Sequence, residues 1–148
     1  MRAVVKRLEL ECIRVCNRCG RGGAELRGED GANVVITLDP ARARELSRAD
    51  GPDDIRSLTE LFLDELAASG LEPGEVVLDV VDGRLRALLS FLREGESDVV
   101  SCTPEEGVSL IVRGDLKAYA TDEALAHAAS RADRAHHHGG SGGPDTVH

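Results

Sequence analysis

Two cysteines separated by two residues, Cys16-Asn17-Arg18-Cys19, followed at once by Gly20, are the residues whose type and spacing point to the most specific chemistry in this chain. In such a knuckle two thiolates converge on one metal ion, while the glycine frees the turn for backbone amides to face sulfur. One knuckle is half of a tetrahedral zinc site. Cys12 stands four residues earlier, roughly 13 Å away along an extended strand at about 3.3 Å per residue, so it is expected in the core unless the strand bends. The further ligand candidates are Cys102 and His127. Reduced thiols in a turn and a core are the alternative to structural zinc, and both readings stay open.

A second chemistry needs oxygen ligands. Glu105 and Glu106, with Glu60, Asp64, Glu65 and Asp79, are the carboxylate-rich material that could hold Mg²⁺ or Mn²⁺ for phosphodiester cleavage. Each also has an architectural reading. Glu106 falls at the third position of a capping box opened by Thr103, acids in a first turn favour the helix dipole, and Asp64 and Glu65 fall on the wet face of a helix. Nucleophilic catalysis has no support, since no histidine falls in a predicted core strand. The run His136–His138 binds metal only as any flexible histidine run does. Gly20–Gly23 lacks the Lys-Ser/Thr of a phosphate loop and the strand–helix spacing of a dinucleotide fingerprint, so no nucleotide cofactor is expected.

The elements that must position these groups follow from periodicity. Val4 to Cys12 alternates, with Val4, Leu8, Leu10 and Cys12 on one side and Arg7, Glu9 and Glu11 on the other, which predicts a half-buried strand. Turn-rich segments around 16–23 and 29–33 separate it from strands at Ala24–Arg27 and Val34–Leu38. Asp39-Pro40 predicts a capped helix through about Ser47, and residues 49–54 break it. Ser57-Leu-Thr-Glu60 is a capping box, and Leu58, Leu61, Phe62 and Leu66 recur at helical spacing until Ser69-Gly70. Asp82-Gly83 predicts a type I′ hairpin between Glu75–Val81 and Arg84–Leu92. Val99–Cys102 is a further strand, Thr103-Pro-Glu-Glu106 opens a helix that Gly114 ends, Leu116–Ala120 is a last strand, and Thr121 caps a helix to about Ala135.

Val34-Val-Ile-Thr-Leu-Asp-Pro40 and Asp98-Val-Val-Ser-Cys-Thr-Pro104 echo one another, each an apolar run, a polar cap and a proline, with Pro40 and Pro104 64 positions apart. The chain therefore reads as two related hairpin–strand–helix units sharing one core. Its 148 residues fit a single domain over 1–135, with a disordered Gly/His-rich tail at 136–148.

No apolar run approaches the roughly 18 residues of a spanning helix, and the start lacks a signal peptide's apolar stretch, so a cytoplasmic protein without a membrane partner is expected. Net charge is −9, with 10 basic against 8 acidic residues in positions 1–50 and 8 against 19 in the rest. Such a balance repels phosphate chains, so nucleic acid would have to be held by Arg2, Lys6, Arg7, Arg14, Arg18, Arg21 and Arg27 in the arginine-rich start. Two Phe, one Tyr and no Trp leave little for base stacking.

Several strings resemble the bifunctional nuclease (BFN) domain family, small prokaryotic and plant proteins credited with DNase and RNase activity. They run from Ser57-Leu-Thr-Glu60 through Glu75-Val-Val-Leu-Asp-Val-Val-Asp-Gly-Arg-Leu-Arg-Ala87 to Cys102-Thr-Pro-Glu-Glu-Gly-Val-Ser-Leu-Ile-Val-Arg113 and Leu116-Lys-Ala-Tyr-Ala-Thr-Asp-Glu-Ala-Leu125. The resemblance covers about residues 1–128. It implies an α+β fold, a curved mixed or antiparallel sheet built from the two units with helices packed on it, and a homodimer. It also implies a metal-dependent nuclease acting on DNA or RNA, with Glu106, Glu105 and Glu60 as metal-holding or water-positioning carboxylates.

This chain departs from the family where Leu-Thr-His-Asp and Asp-x-Arg-Pro-Ser-Asp-Ala are usual, having Thr59-Glu60 and Ser101-Cys-Thr-Pro-Glu-Glu-Gly107 instead. The missing histidine and arginine raise the alternative of a catalytically inactive interaction or ligand-binding module. The cysteine knuckle falls where the family has a plain hairpin, as a local addition.

Overall fold

A computed structural model describes residues 4–48 and 56–131. Seven strands form one sheet: β1 (Val5–Val15), β2 (Gly22–Gly28), β3 (Asn33–Leu38), β4 (Glu72–Val81), β5 (Arg84–Arg93), β6 (Glu96–Cys102) and β7 (Lys117–Thr121). The helices are α1 (Pro40–Ser47), α2 (Leu58–Ala68), α3 (Pro104–Gly114) and α4, helical over residues 122–131. The predicted break at 49–54 and the 136–148 tail lie outside the described residues. No helix among the described residues is long and apolar enough to cross a membrane.

The spatial order is β3-β2-β1-β7-β4-β5-β6, antiparallel throughout except for the parallel β4–β7 pair. Each half is a three-strand meander followed by a helix whose first residue is proline, as the echo implies. The fold is α+β with an open mixed sheet. Because α3 packs on β3 at one edge and on β4 and β5 near the other, the sheet curls around this helix.

Local chemistry explains the boundaries. The Asp39 carboxylate accepts the Ala41 N–H (2.9 Å) and the Thr103 hydroxyl accepts the Glu106 N–H (3.2 Å), so both prolines stand where a missing N–H costs nothing. Asp82 and Gly83 both take positive φ, 53° and 75°, as a type I′ turn requires. Thr121 accepts the Ala124 N–H (3.2 Å) and so caps α4. The core is one cluster of Leu8, Leu26, Val34, Leu38, Val76, Leu78, Leu89 and Val108 with several alanines.

Two expectations are corrected, and the apolar stripe of α2 is only partly covered. A bulge between Leu10 and Cys12 in the β1–β2 ladder reverses the alternation, so that Ile13 packs against the core and Cys12 turns to the other face beside Glu25. The apolar residues of α2 are divided: Leu63 and Leu66 pack against the core, whereas Leu58 is 79% exposed, and Leu61 and Phe62 are exposed too. Only Thr59 of that helix is buried, where its hydroxyl is hydrogen-bonded to that of Ser109. Finally, Thr103 caps α3 as expected, but the Glu106 carboxylate turns away from the cap to Arg42, leaving the box half made.

Candidate functional site

The curl of the sheet brings the starts of α1 and α3 together, and the predicted acids lie at that junction. Arg42 and Glu106 are the third helical residues of α1 and α3, and they form a two-pronged ion pair at 2.9 and 3.2 Å. Glu105, one residue earlier, accepts the backbone N–H of Asp39 at 3.1 Å. Two helix N-termini would repel across this junction, since each carries roughly half a positive charge. The two carboxylates of α3 offset both ends.

Glu60 is elsewhere in function if not far in the fold. It closes the α2 capping box: its N–H donates to the Ser57 hydroxyl (3.1 Å) while its carboxylate accepts from the Ser57 N–H (3.3 Å). Those bonds from Ser57, helped by Arg56, hold its carboxyl below the usual carboxylate range. Asp64 pairs with Arg56 at 2.6 Å, and Asp79 accepts the Thr121 hydroxyl at 2.8 Å. No three of the His, Cys, Asp and Glu side chains among the described residues gather as a metal cage. Glu60, Glu105 and Glu106 each have a protein partner: the Ser57 N–H, the Asp39 N–H and Arg42.

Beside the junction lies a groove of about 1080 Å³. One wall is the edge strand β3, through Asn33, Val35 and Thr37. The other walls are the β4–β5 turn with Arg84, the first turn of α3 with Thr103 and Glu105, and α4 with His127 and Arg131. His127 Nδ1 is buried with no hydrogen-bond partner among the described residues. Arg84, Arg131 and His127 thus share one concavity with a single carboxylate, that of Glu105, a balance that favours anions there. His127 and Arg131, four apart on a helix, were legible as one face. Arg84 was not, because 43 residues separate it from His127 and only the curl of the sheet joins them.

The arginine-rich start is spread and partly neutralised. Lys6 pairs with Asp30 (2.8 Å), Arg14 with Glu25 (3.4 Å) and Arg27 with Glu11 (3.0 Å), while Arg7 stacks over Tyr119. Arg2 lies outside the described residues.

A second, apolar groove of about 330 Å³ runs between α2 and β6, lined by Leu58, Phe62, Leu89, Val100, Cys102 and Leu110. Cys102 therefore faces this groove and His127 the cationic one. Burial, with the charge of Glu106 adding, pushes the Cys102 thiol up. Cys16 and Cys19 are exposed at the β1–β2 turn. Hydrogen bonds from the Cys19 thiol and from backbone amides hold the Cys16 thiol below its ordinary value. The four zinc candidates do not converge, and the knuckle supplies two ligands of the four that a structural site needs. No protein-family model and no curated protein matches the chain.

Proposed function

We propose that this is a BFN-like domain that binds nucleic acid through its phosphates in the groove at the start of α3, as a binding module without phosphodiesterase activity of its own. The observation that carries the reading is the shared lining of Arg84, His127 and Arg131 opposite the first turn of α3. The groove gives a strand of phosphates cationic contacts that an acidic surface elsewhere does not. Glu60, Glu105 and Glu106 act in this reading as architecture: a helix cap and the neutralised α1–α3 junction.

One observation favours the second reading, a metal-dependent nuclease: Glu105 lines the same groove as His127. A single set of assays separates them. Labelled single- and double-stranded DNA and RNA are incubated with Mg²⁺, Mn²⁺ or EDTA, and binding is followed across salt concentrations. The binding module predicts no cleavage under any condition. It also predicts that Arg84→Ala/Arg131→Ala lowers the salt slope by about 1.4, at ~0.7 per phosphate contact on a single strand. Metal-dependent cutting that Glu105→Ala/Glu106→Ala abolishes, with the fold intact, would establish the nuclease instead.

A cytoplasmic setting and a homodimer belong to the same proposal. The dimer is supported by β6, a free sheet edge, together with the exposed Leu58, Phe62 and Val100 around the apolar groove, a surface of the kind that a second copy covers. A monomeric mass by light scattering at micromolar concentration would remove it.

A further inference from the structure

The thiols at the tip of the β1–β2 hairpin are held as a pair. The Cys16 N–H donates to the Arg21 carbonyl (2.7 Å), and the Gly20 N–H donates to the Cys16 carbonyl (2.8 Å). Gly20 takes φ 72°, a left-handed conformation that closes the loop at little cost for glycine. Inside this frame the Cys19 N–H donates to Cys16 Sγ at 3.3 Å, which ties the two cysteines together at the turn. Both are exposed to solvent, and the ladder resumes at once with Val15 opposite Gly22, so the turn is an accessible platform anchored on the β1–β2 pair.

Metal binding needs more than this platform offers. Cys12, the nearest other thiol, turns to the sheet face, where its sulfur contacts Glu25 and accepts from Arg14 Nε, each at 3.4 Å. Cys102 and His127 line two different grooves. Among the described residues zinc, which asks for four ligands, finds two, whereas thiol–disulfide exchange asks for two neighbouring thiols with one sulfur stabilised as thiolate by an amide N–H. That is the set the turn presents.

We propose that Cys16 and Cys19 form a reversible dithiol–disulfide site that exchanges with low-molecular-weight aliphatic disulfides, with Cys16 as the attacking sulfur. The Cys16 thiolate attacks one sulfur of the small disulfide, forming a mixed disulfide and releasing one small thiolate, which takes up the proton that Cys16 gave to solvent. Cys19, deprotonated in turn, attacks the Cys16 sulfur, closing the Cys16–Cys19 bond and releasing the second small thiol. Two protein thiols are oxidised and one small disulfide is reduced to two thiols, a balanced transfer of two electrons and two protons. The site is independent of the groove and stands or falls apart from the nucleic-acid reading.

The test uses the full chain, fully reduced and free of metal, mixed with oxidised and reduced glutathione at defined ratios and then alkylated. Trypsin cuts after Arg14, Arg18 and Arg21, so the Val15–Arg18 and Cys19–Arg21 peptides stay joined only through a Cys16–Cys19 bond. The expected result is that joined pair, present over a range of ratios and reversed by excess reduced glutathione. Cys19→Ser should trap glutathione on Cys16, and Cys16→Ser should leave Cys19 far slower to react. Reaction confined to Cys12 or Cys102, glutathione held on wild-type Cys16 without transfer to Cys19, or stoichiometric zinc that shields both thiols would each overturn the proposal. A Cys12→Ser/Cys102→Ser variant that still forms the joined pair would isolate the site.

Discussion

The two halves of the molecule solve the same packing problem with the residues exchanged. In the first, α1 lies over β2, and a Cβ placed on Gly22 of the strand would come within 2.7 Å of the Ala43 methyl on the helix. In the second, α3 lies over β5, and a Cβ placed on Gly107 of the helix would come within 2.5 Å of the Ala87 methyl on the strand. Ala43 and Gly107 are 64 residues apart, the spacing of the two helix-opening prolines. What recurs is the combined volume at these two close helix–strand contacts: one methyl group and one hydrogen. The residue at each position is free to differ as long as that sum holds.

The same spacing exposes where the halves diverge. Leu38, ending β3, is 2% exposed, while Cys102, ending β6, is half-buried and opens on the apolar groove. Val34, Ile36 and Leu38 of β3 are buried in the core, whereas every residue of β6 before Cys102 is exposed. Likewise Arg42 and Glu106 are equivalent positions with opposite charge, and the difference lets two helix starts that would repel meet in an ion pair.

The largest test of this comparison is at the strand ends. Leu38→Ala should cost about 2–5 kcal/mol by urea unfolding, and Cys102→Ala ~1 kcal/mol or less, because only the first opens a cavity in closed core. Equal losses would break the contrast between covered and uncovered edges. Next, Gly107→Ala should cost about 1–3 kcal/mol despite the better helix propensity of alanine. Adding Ala87→Gly should recover most of that loss, giving a coupling of at least ~0.5 kcal/mol in the double-mutant cycle. A neutral Gly107→Ala would show that the approach relaxes freely and that the exchange of glycine and alanine carries no constraint.

Smaller still is the junction. Arg42→Glu should cost about 0.2–1 kcal/mol, since both partners are partly exposed, and Arg42→Glu/Glu106→Arg should restore part of it in low salt but less in high salt. The least effect concerns α2, which connects the halves. The folded Glu60 carboxyl is held below its unfolded value, so its contribution is present above the unfolded value of about 4.3 and is lost as pH falls through the folded one. Glu60→Gln should flatten the acid side of the stability profile and leave neutral pH little changed. An unchanged acid limb would mean that the capping box forms equally well with a neutral side chain.

Much of the fold was legible because the signals are local. Asp39-Pro40, Ser57 with Glu60, Thr103-Pro104, Asp82-Gly83 and Thr121 each act over one to three residues, and each does in space what its chemistry implies. Cys12 misled because a bulge adds one residue to a strand, and with a period of two that single step reverses the face. Leu58, Leu61 and Phe62 were legible as part of a helix but not as exposed, because helical spacing shows that an apolar stripe exists without showing which of its residues the fold covers. The carboxylates were found as a pair, but their partner Arg42 lies 64 residues away, and nothing near Glu106 announces it.

The sequence by itself determined the caps, the turns, the repeat and the order of elements, because these depend on backbone geometry and on side chains within a few positions. Only the tertiary structure decided that the two prolines' helices meet end to end, that Arg84, His127 and Arg131 line one groove, and that Cys16 and Cys19 stand apart from Cys12, Cys102 and His127. Those outcomes follow from how a seven-stranded sheet curls around one helix. Curvature is a property of the whole sheet, summed over every strand pair, and no short stretch of residues encodes it.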